Sequence, residues 1–565
     1  MNLREIVKLL PARYRKRGVG VTVAVLIQAL LNFVGLAALV PVLALLLDSQ
    51  GANQHFVLSR MQDLTEITEA NQFAVVVCLC VFCIIVIKNM LNVLLGEFQI
   101  KYVNSLYCYF SEKLYESYFR QGLLFVKQSN TTSLSHKING VCYVFAQGIL
   151  SRIFSMTGDA VLFLLIWGAL LIYSLPLALL TFFCFVPAGI LYYYIVKRNL
   201  VRYGKSENEV RHNQMRLVAE TFRGYIDVRT SNAFALFYSR FKKNISQISF
   251  YRERTERILR IPNGIIECTV AGVMIMIVLL SREDAAMKFS LGIFAVAALR
   301  LLPVVRNLIT GWAQLKNYAY AIDPIREMQR FAPTPSAPND VTPIHFNQKL
   351  EVDAVTFVFM DHDGRTPLIE NFSMTISKGE RIGIKGASGV GKTTLFNLLL
   401  GFFAPQKGVI TIDGIPLDDA NLSQWHAIAA YVPQDVFIMD GTLAENVAFG
   451  CDSCGIDRER ALTALRQASL LDFVDVLPDG MDTRVGENGC SLSGGQRQRV
   501  GIARALYKQA EVLFFDEATS SLDAQMEQEI TNTIRELSSI YKERTIIMIA
   551  HRESSLDFCD RIIEM

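Results

Sequence analysis

The most constraining feature of this 565-residue chain is a series of six apolar runs before residue 313. Each run is close to, or longer than, the roughly 20 residues that a helix needs to cross the hydrocarbon core of a bilayer. Six such runs favour a membrane domain over the buried helices of a large soluble protein. We therefore predict a multi-pass membrane protein with six transmembrane helices, at 18–47, 73–95, 141–173, 175–196, 261–280 and 289–312.

Basic residues give the expected orientation of these helices, because cytoplasmic loops carry an excess of Lys and Arg. The segment before the first run is strongly basic, and so are the long segments 97–140 and 197–260. The loop after the first run is mostly acidic. We expect both termini in the cytoplasm, with a bacterial inner membrane as the location. The two long cytoplasmic segments are predicted to form helical stalks with tips near 130–135 and 222–227.

Composition changes after about residue 320, where the apolar runs end and a proline-rich stretch at 333–343 begins. Proline breaks helices and marks domain boundaries. We predict an all-α six-helix transmembrane domain over 1–325, a linker over 326–344 and a soluble α/β domain over 345–565, whose motifs, described next, are those of a P-loop NTPase. The net charge of +3 suggests no nucleic-acid partner.

The first chemical motif follows an apolar stretch at 382–385 that is typical of a buried strand. It matches the pattern GxxxxGK[ST], in which backbone N–H groups wrap phosphates at the start of a helix. Lysine in this pattern reaches the β- and γ-phosphates of ATP, and the hydroxyl of the next residue binds Mg²⁺. The predicted ATP-binding residues are Gly386, Ala387, Ser388, Gly389, Val390, Gly391, Lys392, Thr393 and Thr394.

Two further motifs lie downstream of this loop. An apolar stretch beginning at Val512 ends in Asp516 and Glu517, and in a P-loop ATPase the first carboxylate holds Mg²⁺ while the second activates water. The sequence Leu-Ser-Gly-Gly-Gln occupies 492–496. Alone, this pentapeptide is also compatible with an ordinary helix cap and turn.

With this pentapeptide the chain resembles the ABC transporter family, whose signature is LSGGQ. The resemblance covers roughly residues 345 to 565. It implies a Q-loop at Gln434, which would contact phosphate and Mg²⁺, a D-loop at 521–523 and a switch histidine at His551. It also implies an aromatic contact to adenine from Phe359, where the family usually has tyrosine, and a contact motif toward the membrane domain at 483–487.

The resemblance further implies a dimer in which each ATP lies between the phosphate loop of one chain and the signature of the other. Since one chain holds one ATPase domain, a second copy of itself is the expected partner. Ser493, Gly494, Gly495 and Gln496 would then bind ATP in trans. Glu517, His551 and Gln434 would form the catalytic set, and Thr393, Gln434 and Asp516 the Mg²⁺ set.

Charged residues in the membrane domain suggest where a substrate binds, because charge inside a bilayer is costly unless it is paired or hydrated. The candidates are Lys88, Glu267, Arg300 and Arg306, with Glu267 taken as the only acid deep enough to pair the arginines. Two arginines beside a cavity suit an anionic head group. The stretch around Arg300 weakly resembles lipid-linked oligosaccharide flippases, but Asn263 stands where those have arginine.

Three functions are therefore compatible with the sequence. The first is ATP-driven export or flipping of an amphiphilic substrate that can be anionic, such as a lipid-linked saccharide. Membrane lipids are then expected partners of the protein. The second is export of a peptide or drug by the same architecture. The third is an ATP-gated channel or regulator, which the intact Glu517 disfavours.

Overall fold

The structure is a computed structural model, and it describes residues 3–42, 70–280, 285–330, 344–359, 367–486, 489, 491–517, 524–550 and 552–565. The chain divides into two compact units, Met1–Pro333 and Thr334–Met565. The predicted linker lies largely outside the described residues.

All the regular elements described in the N-terminal unit are helices. Its α-helices are α1 (Leu3–Leu9), α2 (Ala12–Ala37), α3 (Ala70–Arg120), α4 (Gly122–Gln128), α5 (Thr131–Ser135), α6 (Ser151–Tyr173), α7 (Leu175–Arg223), α8 (Tyr225–Thr230), α9 (Phe234–Leu280), α10 (Ala285–Asn317) and α11 (Ile322–Arg330). Two π-helical segments, His136–Val141 and Val144–Leu150, precede α6, and a 3₁₀ turn, Ala319–Ala321, precedes α11.

The helical prediction for this unit is confirmed, but the count of six spans is not. Within the described residues, four helical stretches are long and apolar enough to cross a membrane: Ala12–Val42, Gln72–Arg120, Thr131–Tyr173 and Phe294–Asn317. The chain is therefore a multi-pass membrane protein. The other two predicted runs, 175–196 and 261–280, lie in the long helices α7 and α9.

Local sequence explains how these helices begin and how closely they pack. Ser174 has extended backbone angles, and Pro176 lies in the first turn of α7, where its missing N–H costs no hydrogen bond. Gly204 of α7 packs directly on the backbone of α10, since a Cβ there would lie 2.0 Å from the carbonyl oxygen of Asn317. A side chain at position 204 would therefore force the two helices apart.

Both predicted stalk tips coincide with breaks between helices. The short helix α5 covers the first tip, and Asn130 caps it by accepting a hydrogen bond from the backbone N–H of Thr132 at 2.9 Å. The second tip lies where α7 ends and α8 begins. There Phe222 and Ile226 are 73% and 74% exposed in this unit. Exposed apolar side chains of this size mark a surface suited to protein contact.

The C-terminal unit is an α/β domain, as predicted. Its strands are β1 (Lys349–Phe357), β2 (Ile369–Ser377), β3 (Arg381–Lys385), β4 (Lys407–Ile412), β5 (Ile415–Pro416), β6 (Ala429–Val432), β7 (Val512–Asp516), β8 (Thr545–Ile549) and β9 (Arg561–Glu564). Its α-helices are α12 (Lys392–Leu399), α13 (Leu422–Ile428), α14 (Leu443–Val447), α15 (Arg458–Gln467), α16 (Leu471–Asp475), α17 (Gly494–Lys508) and α18 (Ala524–Ile540). Three 3₁₀ turns, Ser453–Gly455, Gly480–Asp482 and Glu553–Ser555, complete the described elements.

The parallel sheet of this unit has the order β6-β7-β8-β3-β9. A second, antiparallel sheet has the order β2-β1-β4-β5. Strands β7 and β8 are buried along their whole length, which explains why they consist mostly of apolar residues. Because all strands of the parallel sheet run in one direction, the residues that follow β3, β6 and β7 meet at one edge. That edge carries the candidate site.

Candidate functional site

The phosphate loop connects β3 to α12. Gly389 and Gly391 have φ angles of 83° and 111°, a backbone region that side chains other than glycine rarely adopt. A Cβ at Gly391 would also lie 3.2 Å from the Leu368 side chain. These two glycines let the loop curl back over the start of α12, which leaves its first N–H groups available to an anion.

Lys392 is the first residue of α12 and is 4% exposed. Its Nζ donates hydrogen bonds to the carbonyl oxygens of Gly386 at 2.9 Å and Ala387 at 3.1 Å, and lies 3.9 Å from Oε1 of Glu517. The ammonium group is therefore held inside the curve of the loop. A phosphate bound by the loop would lie at the same place. Thr394, predicted to bind ATP, is buried behind it.

Asp516 ends β7 and is 3% exposed. Its Oδ1 accepts a hydrogen bond from Thr393 Oγ1 at 3.3 Å, and its Oδ2 accepts one from the Tyr431 hydroxyl at 2.9 Å. Burial raises the pKa of the Asp516 carboxyl above its usual range, and the two hydrogen bonds act in the opposite direction. Burial also raises the pKa of Tyr431, and the nearby Asp516 charge adds to that effect.

This arrangement fits Mg²⁺. The ion prefers hard oxygen ligands and usually completes its shell with water and substrate phosphates, so one carboxylate and one hydroxyl suffice from the protein. Thr393 and Asp516 bring two such oxygens together, and the buried carboxylate needs a positive partner. Within the described ranges, no group of three or more His, Cys, Asp or Glu side chains forms a cage for a metal.

Glu517 follows Asp516 and has a φ of 47°, in the left-handed region that residues other than glycine rarely enter. Its backbone N–H donates to the carbonyl oxygen of Ile549 at 3.0 Å, which fixes the turn at the end of β7. Conformations of this kind concentrate at functional sites. The turn places the Glu517 carboxylate beside the phosphate loop, as the Lys392 distance shows.

Gln434 lies two residues beyond β6, at the same edge of the sheet. Its carbonyl oxygen accepts a hydrogen bond from Gln498 Nε2 at 2.5 Å, which ties this loop to α17. His551 and the predicted D-loop, 521–523, lie outside the described residues, as does Glu487 of the contact motif. The structure therefore brings Lys392, Thr393, Asp516 and Glu517 together, and the roles of these four and of the other predicted site residues stay predictions.

The signature residues begin α17. Ser493 caps the helix: its Oγ accepts from the N–H of Gln496 at 3.2 Å, while Gln496 Oε1 accepts from the N–H of Ser493 at 2.8 Å. This reciprocal pair is a capping box. Gly494 and Gly495 form the first turn, whose free N–H groups can meet an anion. The helix cap and the predicted phosphate contact are thus compatible uses of the same residues.

Phe359 follows β1 and contacts two other aromatic rings edge-on: Phe357 at 5.0 Å and Phe403 at 5.7 Å between centroids. Gln406 fixes the adjacent backbone through hydrogen bonds to both polar groups of Val358, each 2.9 Å long. The Phe359 ring is half-buried, so it keeps a surface for stacking. Its contact with adenine remains a prediction.

The predicted substrate residues lie in different environments. Lys88 of α3 is 6% exposed and packs against Gly35 of α2. A Cβ added at Gly35 would lie 2.6 Å from the lysine Cδ. It interacts electrostatically with Arg300 of α10. Arg300 and Glu267 are exposed in this unit, and Arg306 is half-buried. Across the residues that the structure describes, neither arginine pairs with Glu267.

The expectation that Glu267 is the only acid deep enough to pair these arginines is wrong. Asp159 lies within α6, in the third predicted span, is half-buried and lies near the Asn307 side chain of α10. Arg152 of α6 is close enough to interact with it electrostatically. A single aspartate in an otherwise apolar run was detectable from the sequence. Its partner was not, because Asn307 is 148 residues away along the chain.

Tyr431 is the other residue that sequence reasoning missed. It lies three residues before Gln434, and its hydroxyl contacts the Asp516 carboxylate directly. Parallel pairing of β6 and β7, with Tyr431 opposite Phe514, creates this contact across 85 residues of chain. No local spacing signals such a contact.

Comparison with known proteins identifies the ATPase unit. Residues 369–520 match the family of ABC transporters. Among curated proteins, the chain is 36% identical over 303 residues to an ATP-dependent lipid A-core flippase from Chromobacterium violaceum, an alignment covering 53% of this chain and 50% of that protein. A protein of the same name from Burkholderia orbicola is 33% identical over 377 residues, covering 65% of this chain and 61% of the relative. These alignments span half to three fifths of the relatives' length.

Among solved structures, the chain resembles a bacterial Atm1-family ABC exporter with ATP bound. The TM-score is 0.77 at 24% identity, and the match covers 98% of this chain and 93% of the other. This likeness shows the fold. The predicted resemblance to ABC transporters is therefore confirmed, including the fusion of a helical membrane unit to an ABC-type ATPase unit.

Proposed function

We propose that this chain is a half-transporter of the ABC exporter type, which hydrolyses ATP to export or flip an amphiphilic lipid across a membrane. The observation that carries the proposal is the meeting of Lys392, Thr393, Asp516 and Glu517 at one sheet edge. That constellation binds and cleaves a nucleoside triphosphate, and it belongs to a chain with an exporter fold.

The residues divide the chemistry as follows. ATP supplies the phosphoanhydride bond, and Mg²⁺ supplies charge neutralisation at the phosphates. Lys392 holds the β- and γ-phosphates, and Thr393 and Asp516 hold the metal. Glu517 orients the attacking water and takes its proton. Lys392 must exchange its bonds with the loop carbonyls for bonds to phosphate, so nucleotide binding rearranges the site's polar contacts.

The transporting form is a homodimer in this proposal, with both termini and both ATPase units in the cytoplasm. Ser493 and Gly495 of one chain face the phosphates bound by the other, at the start of α17. ATP closes the dimer, and hydrolysis reopens it and alternates access through the membrane units.

Mixing two inactive variants tests this arrangement. Lys392→Ala removes the phosphate loop's lysine, and Ser493→Arg blocks the signature. Each homodimer should be inactive. A mixed dimer contains one composite site in which both motifs are intact, so trapping of ATP between the two chains should return at one site per dimer. Failure of every mixed dimer to trap ATP would rule out the head-to-tail arrangement.

The substrate proposed is an anionic lipid carrying sugar. The curated relatives are named ATP-dependent lipid A-core flippases, which supports a lipid substrate. Arg300, Arg306 and Lys88 supply the positive charge. Arg300 is exposed in the isolated chain and pairs with none of the described carboxylates, which leaves it available to a ligand anion. Peptide or drug export is the second candidate, and it shares the ATP chemistry.

ATPase activity in liposomes distinguishes these substrates. The purified chain is reconstituted and its turnover is measured with a panel of phospholipids, lipid-linked sugars and peptides. Stimulation by anionic lipid-linked sugars supports the proposal, and stimulation by peptides alone supports the second candidate. Arg300→Ala and Arg306→Ala should keep basal turnover and lose stimulation. Lysine at either position should restore it in part, because a point charge replaces the bidentate guanidinium.

A further inference from the structure

A cavity of about 450 Å³ lies in the N-terminal unit, where α1, the start of α2, the second half of α3 and the end of α11 meet. It is distinct from the candidate substrate residues, which lie on the apolar parts of α3, α9 and α10. Its lining combines apolar side chains with four cations and one carboxylate. The charged residues and the serine of the lining are Lys8, Arg15, Lys113, Glu116, Ser117 and Arg120.

The charges of the lining do not cancel. Glu116 is its one carboxylate, and it is shared by Lys113 and Arg120 at 2.6 Å each. Lys8 and Arg15 form no ion pair with any described residue. Four cations around one carboxylate leave a positive field in a concave site, where field lines concentrate and attract anions.

Ser117 provides an independent sign of a ligand. The residue is 6% exposed, and its Oγ has no hydrogen-bond partner among the described residues. A serine within a helix commonly bonds to the carbonyl four residues earlier, yet this one does not. An unsatisfied buried hydroxyl costs about 1–3 kcal/mol. A bound acceptor would remove that cost.

The cavity also lies near the level at which the first span begins. Gly18 contacts Tyr102 of α3, and Tyr109, which lines the cavity, is seven residues further along the same helix. At a rise of 1.5 Å per residue, the separation is about 10 Å. Lipid head groups extend several ångströms beyond the hydrocarbon core, so they come within reach of Arg15.

We propose that this cavity is a binding site for a phosphate-bearing anion. The Ser117 hydroxyl donates to a phosphate oxygen, the Arg15 guanidinium engages two oxygens side by side, and Lys8 adds charge from α1. Two sources carry this chemistry: the head group of an anionic lipid and free phosphate. Either one joins α1 to α3, beside the point where Gln329 of α11 donates to the Leu9 carbonyl at 3.0 Å.

Binding is tested on the full-length protein with three variants. Arg15→Gln and Ser117→Ala alter the cavity. Lys16→Gln is the matched control, since it removes the same charge from an exposed neighbour that does not line the cavity. All proteins carry Lys392→Ala, so that the phosphate loop does not contribute and the result is independent of the ATPase proposal.

Two arms identify the source. In detergent, inorganic phosphate is titrated while the thermal unfolding midpoint is followed, because a ligand that binds the native state raises it. In nanodiscs of phosphatidylglycerol or phosphatidylcholine, native mass spectrometry counts retained anionic lipids. Arg15→Gln and Ser117→Ala should weaken binding at least tenfold in one arm, with Lys16→Gln unchanged. A loss confined to the lipid arm assigns a head group, and one confined to the phosphate arm assigns a soluble anion.

Equal losses in all three variants would overturn the proposal, because they would reflect the general basic charge of this segment. Unchanged binding in Arg15→Gln and Ser117→Ala would do the same. If Ser117→Ala fails to fold, Arg15→Gln decides the question, since that side chain is exposed and its removal leaves the packing intact.

Discussion

At the proposed Mg²⁺ site, the hydrogen bond from Tyr431 to Asp516 should set the pH range of metal binding. Replacing Tyr431 by phenylalanine removes the hydroxyl that lies 2.9 Å from Oδ2 and keeps the ring, which packs edge-on against Phe396. Thr393 remains as the second donor, at 3.3 Å. The change therefore isolates one charge-assisted hydrogen bond to a carboxylate that is 3% exposed.

The size of the effect follows from that geometry. A hydrogen bond to a charged group contributes about 1.5–3 kcal/mol. One pKa unit corresponds to about 1.4 kcal/mol of preference for the ionised form. Losing the bond should raise the pKa of Asp516 further, because the ionised carboxylate loses a stabilising donor. Since burial already raises this pKa, the carboxylate would then be incompletely ionised closer to neutral pH.

Mg²⁺-dependent ATPase activity measured from pH 5 to 9 at sub-saturating Mg²⁺ reports this shift. The metal needs the ionised carboxylate, so the acid limb of the profile should move to higher pH in Tyr431→Phe and should be restored by more Mg²⁺. Tyr507→Phe is the control, because that buried hydroxyl accepts from the Asp457 N–H in another part of the unit. A Tyr431→Phe profile that overlays the wild type would refute the reasoning.

Three other substitutions have defined outcomes. Ser493→Ala removes the capping box of α17 and should lower the free energy of unfolding of the ATPase unit by about 1 kcal/mol, measured as a lower urea midpoint. An unchanged midpoint would mean that the cap contributes nothing to stability. The bidentate pair of Arg381 with Asp560 holds the pKa of that carboxyl below its usual value. Its stabilisation is therefore present above the unfolded pKa of about 4 and is lost as the pH falls through the lower folded pKa. Arg381→Gln should be less stable than wild type near neutral pH, with the gap closing in acid, and a gap that does not vary with pH would contradict the assignment. Gly391→Ala should abolish ATP binding in an equilibrium assay, because a Cβ strains a φ of 111°, and normal affinity would show that the loop adapts.

Much of the ATP site could be predicted from sequence because its chemistry lies in short segments. The loop around Lys392 and the carboxylates that end β7 have fixed local spacings, and each follows an apolar strand. The capping box at Ser493 is also local, since it depends on a residue three positions later. Spacings of this kind can be recognised in the sequence without knowledge of the fold.

The missed features depend on contacts between distant segments. The Tyr431–Asp516 bond requires β6 and β7 to be neighbours, and the approach of Asp159 to Asn307 requires α6 to pack on α10. In the membrane unit, apolar runs predict helices but not the faces that meet. The π-helical segments before α6 are a further example. No local signal in residues 136–150 predicts that the ordinary α-helical hydrogen-bond pattern changes there.

The most direct test of ATP-driven lipid movement compares the wild type with Glu517→Gln in the same liposomes. A fluorescent anionic glycolipid in one leaflet is followed by its accessibility to an added quencher, with and without ATP and Mg²⁺. The wild type should move the lipid only with ATP. Glu517→Gln should bind ATP with similar affinity yet neither hydrolyse it at a comparable rate nor move the lipid, because the general base is lost while the phosphate contacts remain. Equal lipid movement by the two proteins would contradict the proposed coupling.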